Sequence, residues 1–122
     1  MARKILLQGT AMRASYGLLA LLFPKLLNAA AGIPEEDVDA DARYLNRLFG
    51  GRDLLVAGLT VAAVKAGDER GATGINLICE GTDTVSLLEE LRTRGGLDRT
   101  LAIGLAFNVA GYATWVRALR AL

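Results

Sequence analysis

Apolar residues in this chain fall into four blocks separated by charged segments. The first runs from about Ile5 to Phe23, ILLQGTAMRASYGLLALLF, and stops at Pro24. A short amphipathic piece, PKLLNAAAGIP, follows as far as Pro34. It is too short to cross a bilayer and reads as an interfacial turn of helix. Glu35, Glu36, Asp37, Asp39 and Asp41 then suit the start of a helix, where the dipole favours negative charge. The second block, ARYLNRLFGGRDLLVAGLTVAAVKAG, holds the densest apolar run, Leu54 to Val64. Gly67-Asp68-Glu69-Arg70-Gly71 is a polar turn with a glycine at each end. The third block, GATGINLICEGTDTVSLLEEL, closes at Arg92, Arg94 and Gly95-Gly96. The fourth, TLAIGLAFNVAGYATWV, is free of charge and ends in Arg117 and Arg120. Tyr112 and Trp115 lie near that end, where aromatic rings favour a membrane interface.

This pattern predicts an all-α fold in one domain, residues 1–122. Its form is a four-helix transmembrane bundle with a short interfacial helix between spans 1 and 2. A soluble four-helix bundle is the alternative, since Arg13, Arg52, Asp53, Glu80 and Asp83 interrupt the blocks. A soluble helix, however, keeps a polar stripe along one side. The runs LLVAGLTVAAV and TLAIGLAFNVAGYATWV are apolar all round. Gly58, Ala62 and Ala66 recur every fourth residue, as do Ala106, Ala110 and Thr114, the spacing by which helices approach closely in lipid.

Arg3, Lys4, the apolar stretch and Ala29-Ala30-Ala31 also resemble a leader peptide. Arg13 interrupts that stretch, which favours a retained span. The expected localisation is the cell membrane, multi-pass. Both termini then share a side with Lys65 and Arg70. Basic residues divide almost evenly between the two sides, so the positive-inside rule barely decides, and termini inside is the orientation taken.

Composition narrows the chemistry. Fourteen Lys and Arg balance thirteen Asp and Glu, so no net field recruits nucleic acid. There is no His, and Cys79 stands alone, which removes the commonest proton shuttle, a disulfide and a thiolate metal cage. No metal and no cofactor are expected. Carboxylates, Arg, Asn, Thr, Ser and Tyr remain.

Helix rise then picks out a constellation. At about 1.5 Å per residue from the terminal side, Arg13, Glu80 and Asn108 each lie roughly 13 Å deep, and Asp83 roughly 18 Å. Arg52 and Asp53 lie roughly 21–23 Å deep, in a hydrocarbon core about 30 Å thick. Glu80 and Asp83, three apart, share a helix face with Asn76. Two acids at that depth must be paired, protonated or wet. As an ion network, Arg13 and Arg52 neutralise Glu80 and Asp83, with Asp53 on Arg52 or capping locally, and the cluster fixes helix register. As a polar cavity, Glu80 and Asp83 are the catalytic candidates, one acid and one base. Arg13, Tyr16, Arg52, Asp53, Asn76 and Asn108 then line the ligand. Cys79 is expected on another face as a small filler, and Arg43 and Arg47 on a solvated one.

The string Arg47-Leu48-Phe49-Gly50-Gly51-Arg52-Asp53 is the most distinctive in the chain. Its Gly-Gly marks a close approach or a kink, and it lacks the Lys-Ser/Thr of a phosphate loop. RLFGGRDLLVAGL resembles the R-x-F-G-x-R-[DE] pattern of an uncharacterised family of small bacterial four-span proteins, DoxX-like in organisation. The resemblance implies a four-helix membrane bundle that keeps Arg52 and Asp53, and no established reaction.

Three functions fit these residues. One is an accessory or small-lipophilic-ligand-binding membrane module, in contact with membrane lipid and open to homo-oligomerisation. Another is a cofactor-free membrane enzyme using Glu80 and Asp83 for epoxide opening, cyclisation or isomerisation of a lipophilic substrate. The third is a proton-coupled small transporter.

Overall fold

The computed structural model describes residues 1–122 and contains five α-helices and no strand. They are α1 (Ala2–Leu22), α2 (Pro24–Ala30), α3 (Ala40–Lys65), α4 (Glu69–Arg94) and α5 (Arg99–Arg120). A single 3-10 turn, Glu35–Asp37, sits between α2 and α3. Boundaries follow local chemistry. Pro24 ends α1 and opens α2, where its missing N–H costs nothing. Asp39, Asp68 and Asp98 cap α3, α4 and α5 by accepting the amides of Ala42, Gly71 and Leu101. Gly95, at φ 73°, closes α4 in the left-handed conformation that glycine adopts without penalty.

The four long helices run alternately up and down. They form a ring in the order α1, α3, α4, α5, with α1 and α4 on the diagonal and α2 folded against α1 and α3. The largest contact is α1 on α3, and glycine creates it. A Cβ on Gly50 would lie 2.5 Å from the Gly17 carbonyl oxygen and 2.8 Å from the Leu21 amide. Gly51 has open space around it, so the Gly-Gly pair is a close approach at its first residue only. Near the terminal end Leu6, Val64, Ala72, Trp115 and Ala118 form a compact apolar cluster.

Eight polar or charged side chains share the interior with the apolar ones. Thr10, Asn28, Asp53, Thr60, Thr73, Asn76, Glu80 and Asn108 are buried. At the height of Asp53, Glu80 and Asn108 in their helices, Met12, Leu55, Ile78, Val85 and Phe107 face outwards, each at least 60% exposed. That is the reverse of the usual burial order, in which charged side chains stay out and large apolar ones go in. By length and composition one helix, α1, is apolar enough to cross a membrane.

Two expectations are corrected here. The stripes Gly58/Ala62/Ala66 and Ala106/Ala110 face outwards, because the inward faces are taken by Ala57, Thr60 and Val64 on α3 and by Leu101, Asn108 and Trp115 on α5. Trp115, placed at an interface by its position near a helix end, is instead 3% exposed.

Candidate functional site: a mid-height ion chain

Arg13, Arg52, Asp53, Glu80, Asp83 and Asn108 each fall within two residues of the midpoint of their helix. An up-and-down bundle therefore brings them to one level. There the five charged residues form a continuous chain of ions that begins and ends on α4. Glu80 Oε1 takes Arg13 Nη2 at 2.7 Å, and Arg13 Nη1 donates to Asp53 Oδ1 at 3.0 Å. The same Asp53 oxygen takes Arg52 Nη2 at 3.1 Å, and Arg52 Nη1 reaches Asp83 Oδ1 at 2.7 Å. Asp53 was expected on Arg52 or in a local cap; it bridges both arginines.

The two ends differ. The Arg13, Asp53 and Glu80 side chains are 5–9% exposed, whereas Arg52 and Asp83 are 34% and 30% exposed. Glu80 is held by α5 as well. Trp115 Nε1 donates to Oε1 at 3.1 Å, and Asn108 Nδ2 to Oε2 at 3.2 Å. Thr84 Oγ1 stands 2.9 Å from both Asn108 Oδ1 and the Glu80 carbonyl, and its one proton serves either oxygen. Gly111 makes room for all this, since a Cβ there would lie 2.5 Å from Glu80 Oε1. Such packing satisfies most of the cost of burying charge, which is prohibitive for an unpaired ion. The Nε atoms of Arg13 and Arg52 are buried without a partner.

Glu80 and Asp83 share a helix face but answer to different arginines. Asn76 is not part of the chain. Its amide donates to Thr60 Oγ1 at 2.7 Å and to the Ala72 carbonyl at 2.9 Å, a separate clamp between α3 and α4. Tyr16 is also outside it, packed edge-on against Phe49 at 5.8 Å and tilted against Phe107 at 5.9 Å. Phe49 carries the Arg52 guanidinium 4.3 Å above its ring. A cleft of about 160 Å³ lies beside the chain rather than in it, lined by Tyr16, Leu27, Ala31, Ile103 and Phe107 among others. Arg43 and Arg47 donate to the Val38 and Leu21 carbonyls, at 3.4 and 3.3 Å.

Trp115, Thr84 and Cys79 were missed as participants. Cys79, expected to be a filler on another face, takes Arg13 Nη1 at 3.1 Å. A guanidinium fork is wide enough to reach two neighbouring residues of a helix at once. Neither any known protein family, nor any curated protein, nor any solved structure matches the chain. The site therefore rests on its own geometry.

Proposed function

We propose that the chain is a multi-pass membrane protein, with α1, α3, α4 and α5 as spans and α2 at the interface. Its mid-membrane ion chain locks the four helices together for an accessory role. The observation that carries this reading is the inversion at mid-height, with ions inside and Met12, Leu55, Ile78, Val85 and Phe107 outside. Lipid is the medium in which that order is favourable, because only there do large apolar side chains face an apolar solvent. The spans are 21, 26, 26 and 22 residues, long enough for a core about 30 Å thick. Acid–base catalysis draws less support, since three side chains donate to the Glu80 carboxylate and Asp83 lies with another arginine. The test is extraction. The protein should stay with membranes through an alkaline carbonate wash and need detergent to dissolve. Recovery as a monodisperse species in detergent-free buffer would overturn the proposal.

Binding of a small lipophile has one observation of its own. The Tyr16 cleft is a partly open apolar hollow of about 160 Å³, with room for one small aromatic ring. Saturable broadening of fluorobenzene by fluorine NMR, abolished by Ile103→Trp, is expected. Partition no greater than into empty micelles would remove this reading.

A further inference from the structure

The two ends of the bundle carry opposite charge, and their cations are used differently. The terminal end holds Arg3, Lys4, Lys65, Arg70, Arg117 and Arg120 against two acids, Asp68 and Glu69. All six cations are exposed, and none makes an ion pair with this chain. The opposite end has as many cations but eight acids: Glu35, Glu36, Asp37, Asp39, Asp41, Glu89, Glu90 and Asp98. There three of the six cations make ion pairs within the chain. Lys25 pairs with Glu35 at 3.1 Å, Arg92 with Glu89, and Arg94 with Glu90 and Asp98 at 2.8 and 2.7 Å. Counting lysine and arginine alone hides this difference, because the acids sit at one end.

We infer that the terminal end is a docking surface for anionic phospholipid headgroups, and that it faces the leaflet richer in them. The inference rests on the membrane reading above. Six unpaired cations ring an end whose neighbouring side chains are apolar and exposed. On α1, Arg3 and Lys4 stand one turn from Leu7 and two from Ala11, all exposed and bordering one shallow concavity. A phospholipid offers the matching order, with a phosphate at the level of Arg3 and Lys4 and an acyl chain along Leu7 and Ala11. Nucleic acid would use the cations but leave that apolar border uncovered. A lipid uses both.

The experiment is reconstitution into nanodiscs of mixed phosphatidylglycerol and phosphatidylcholine, followed by analysis of the lipids that stay with the protein after mild detergent extraction. Phosphatidylglycerol should be enriched several-fold over its bulk share, and the enrichment should fall with salt as headgroup charge is screened. The variant R3Q/K4Q/K65Q/R70Q should lose it, because each basic residue near an anionic surface is worth about fivefold in partition. R92Q/R94Q, at the opposite end, should keep it. These substitutions are on exposed residues, and a circular dichroism melt identifies a variant that has failed to fold. For any such variant, R117Q/R120Q supplies the same comparison on α5. Failure to enter the nanodisc at all would sink the membrane reading. Entry with retained lipid at its bulk ratio, or equal loss from both ends, would overturn this inference alone.

Discussion

Trp115 Nε1 donates to Glu80 Oε1 at 3.1 Å, the same oxygen that takes Arg13 Nη2 at 2.7 Å. One carboxylate oxygen thus ties α4 to both α1 and α5, and Asn108 holds the other. Arg13 also lies over the Trp115 ring, 5.7 Å from its centroid, so the three side chains are mutually fixed.

Glu80→Leu is accordingly expected to destabilise strongly, by about 3–5 kcal/mol, because it leaves the Arg13 charge short of a partner and the buried Trp115 N–H unpaired, although Asn108 keeps the Glu80 carbonyl. Arg13→Met should cost a similar amount, because Glu80 loses its one cation and Asp53 one of its two. The double variant should be less destabilised than the sum of the two, by about 1 kcal/mol or more. Thermal melts in detergent measure all three. Additive effects would mean that the pair contributes no coupling.

Asp83 provides the contrast. It is 30% exposed, and Arg52 retains Asp53 when Asp83 is neutralised. Asparagine keeps an oxygen for Arg52, so Asp83→Asn should cost about 1 kcal/mol, the scale of one interhelical hydrogen bond in lipid. A loss as large as that of Glu80→Leu would show that the open end of the chain is as demanding as the closed one.

Adjacent glycines make the packing argument sharper. Gly50→Ala drives a Cβ into the backbone of α1, where neither the Gly17 carbonyl nor the Leu21 amide can give way without separating the helices. The cost should be about 1–3 kcal/mol, typical of overpacking. Gly51→Ala meets nothing and replaces a glycine within a helix, so it should be neutral or stabilising by about 0.5–1 kcal/mol. Equal melting temperatures for the two variants would contradict the close approach.

Height along the helices was legible in the sequence, and rotation about them was not. Arg13, Glu80 and Asn108 meet where their distances from the helix ends place them, because the rise per residue is nearly constant. Arg52 reaches Asp83 for the same reason, but Arg13 also meets Asp53, which the same arithmetic placed roughly 8 Å deeper. Which face turns inwards depends on neighbours that no single helix specifies. Thr60, buried at 0% exposure, takes the inward position on α3 that the small residues Gly58 and Ala62 were read to hold. Trp115 was ambiguous in the same way. An indole near a helix end suits a headgroup layer, but its N–H suits a buried carboxylate equally well, and only the partner decides. The two acids of the third block pair with Arg13 and Arg52 as the ion-network reading had it, whereas the Arg13–Asp53 contact was not foreseen, since it depends on how α1 sits against α3.

The turn between α4 and α5 gives a pH-dependent prediction. Asp98 accepts the Leu101 amide at 2.8 Å and Arg94 Nη1 at 2.7 Å. The backbone hydrogen bond, then Arg94, holds its carboxyl below the ordinary aspartate range. A carboxyl lowered in the folded state stabilises it fully above the ordinary aspartate value of about 3.9, and that contribution is lost as pH falls through the lowered one. Protonation should therefore fray the first turn of α5, read as a shift of the Leu101 amide resonance towards its unfolded position at the acid end of a titration. Asp98→Asn retains a good cap at neutral pH but has no proton to gain, so its Leu101 amide should not move over the same range. An unchanged acid shift in Asp98→Asn would assign the fraying to another group, Glu90 on Arg94 being the nearest.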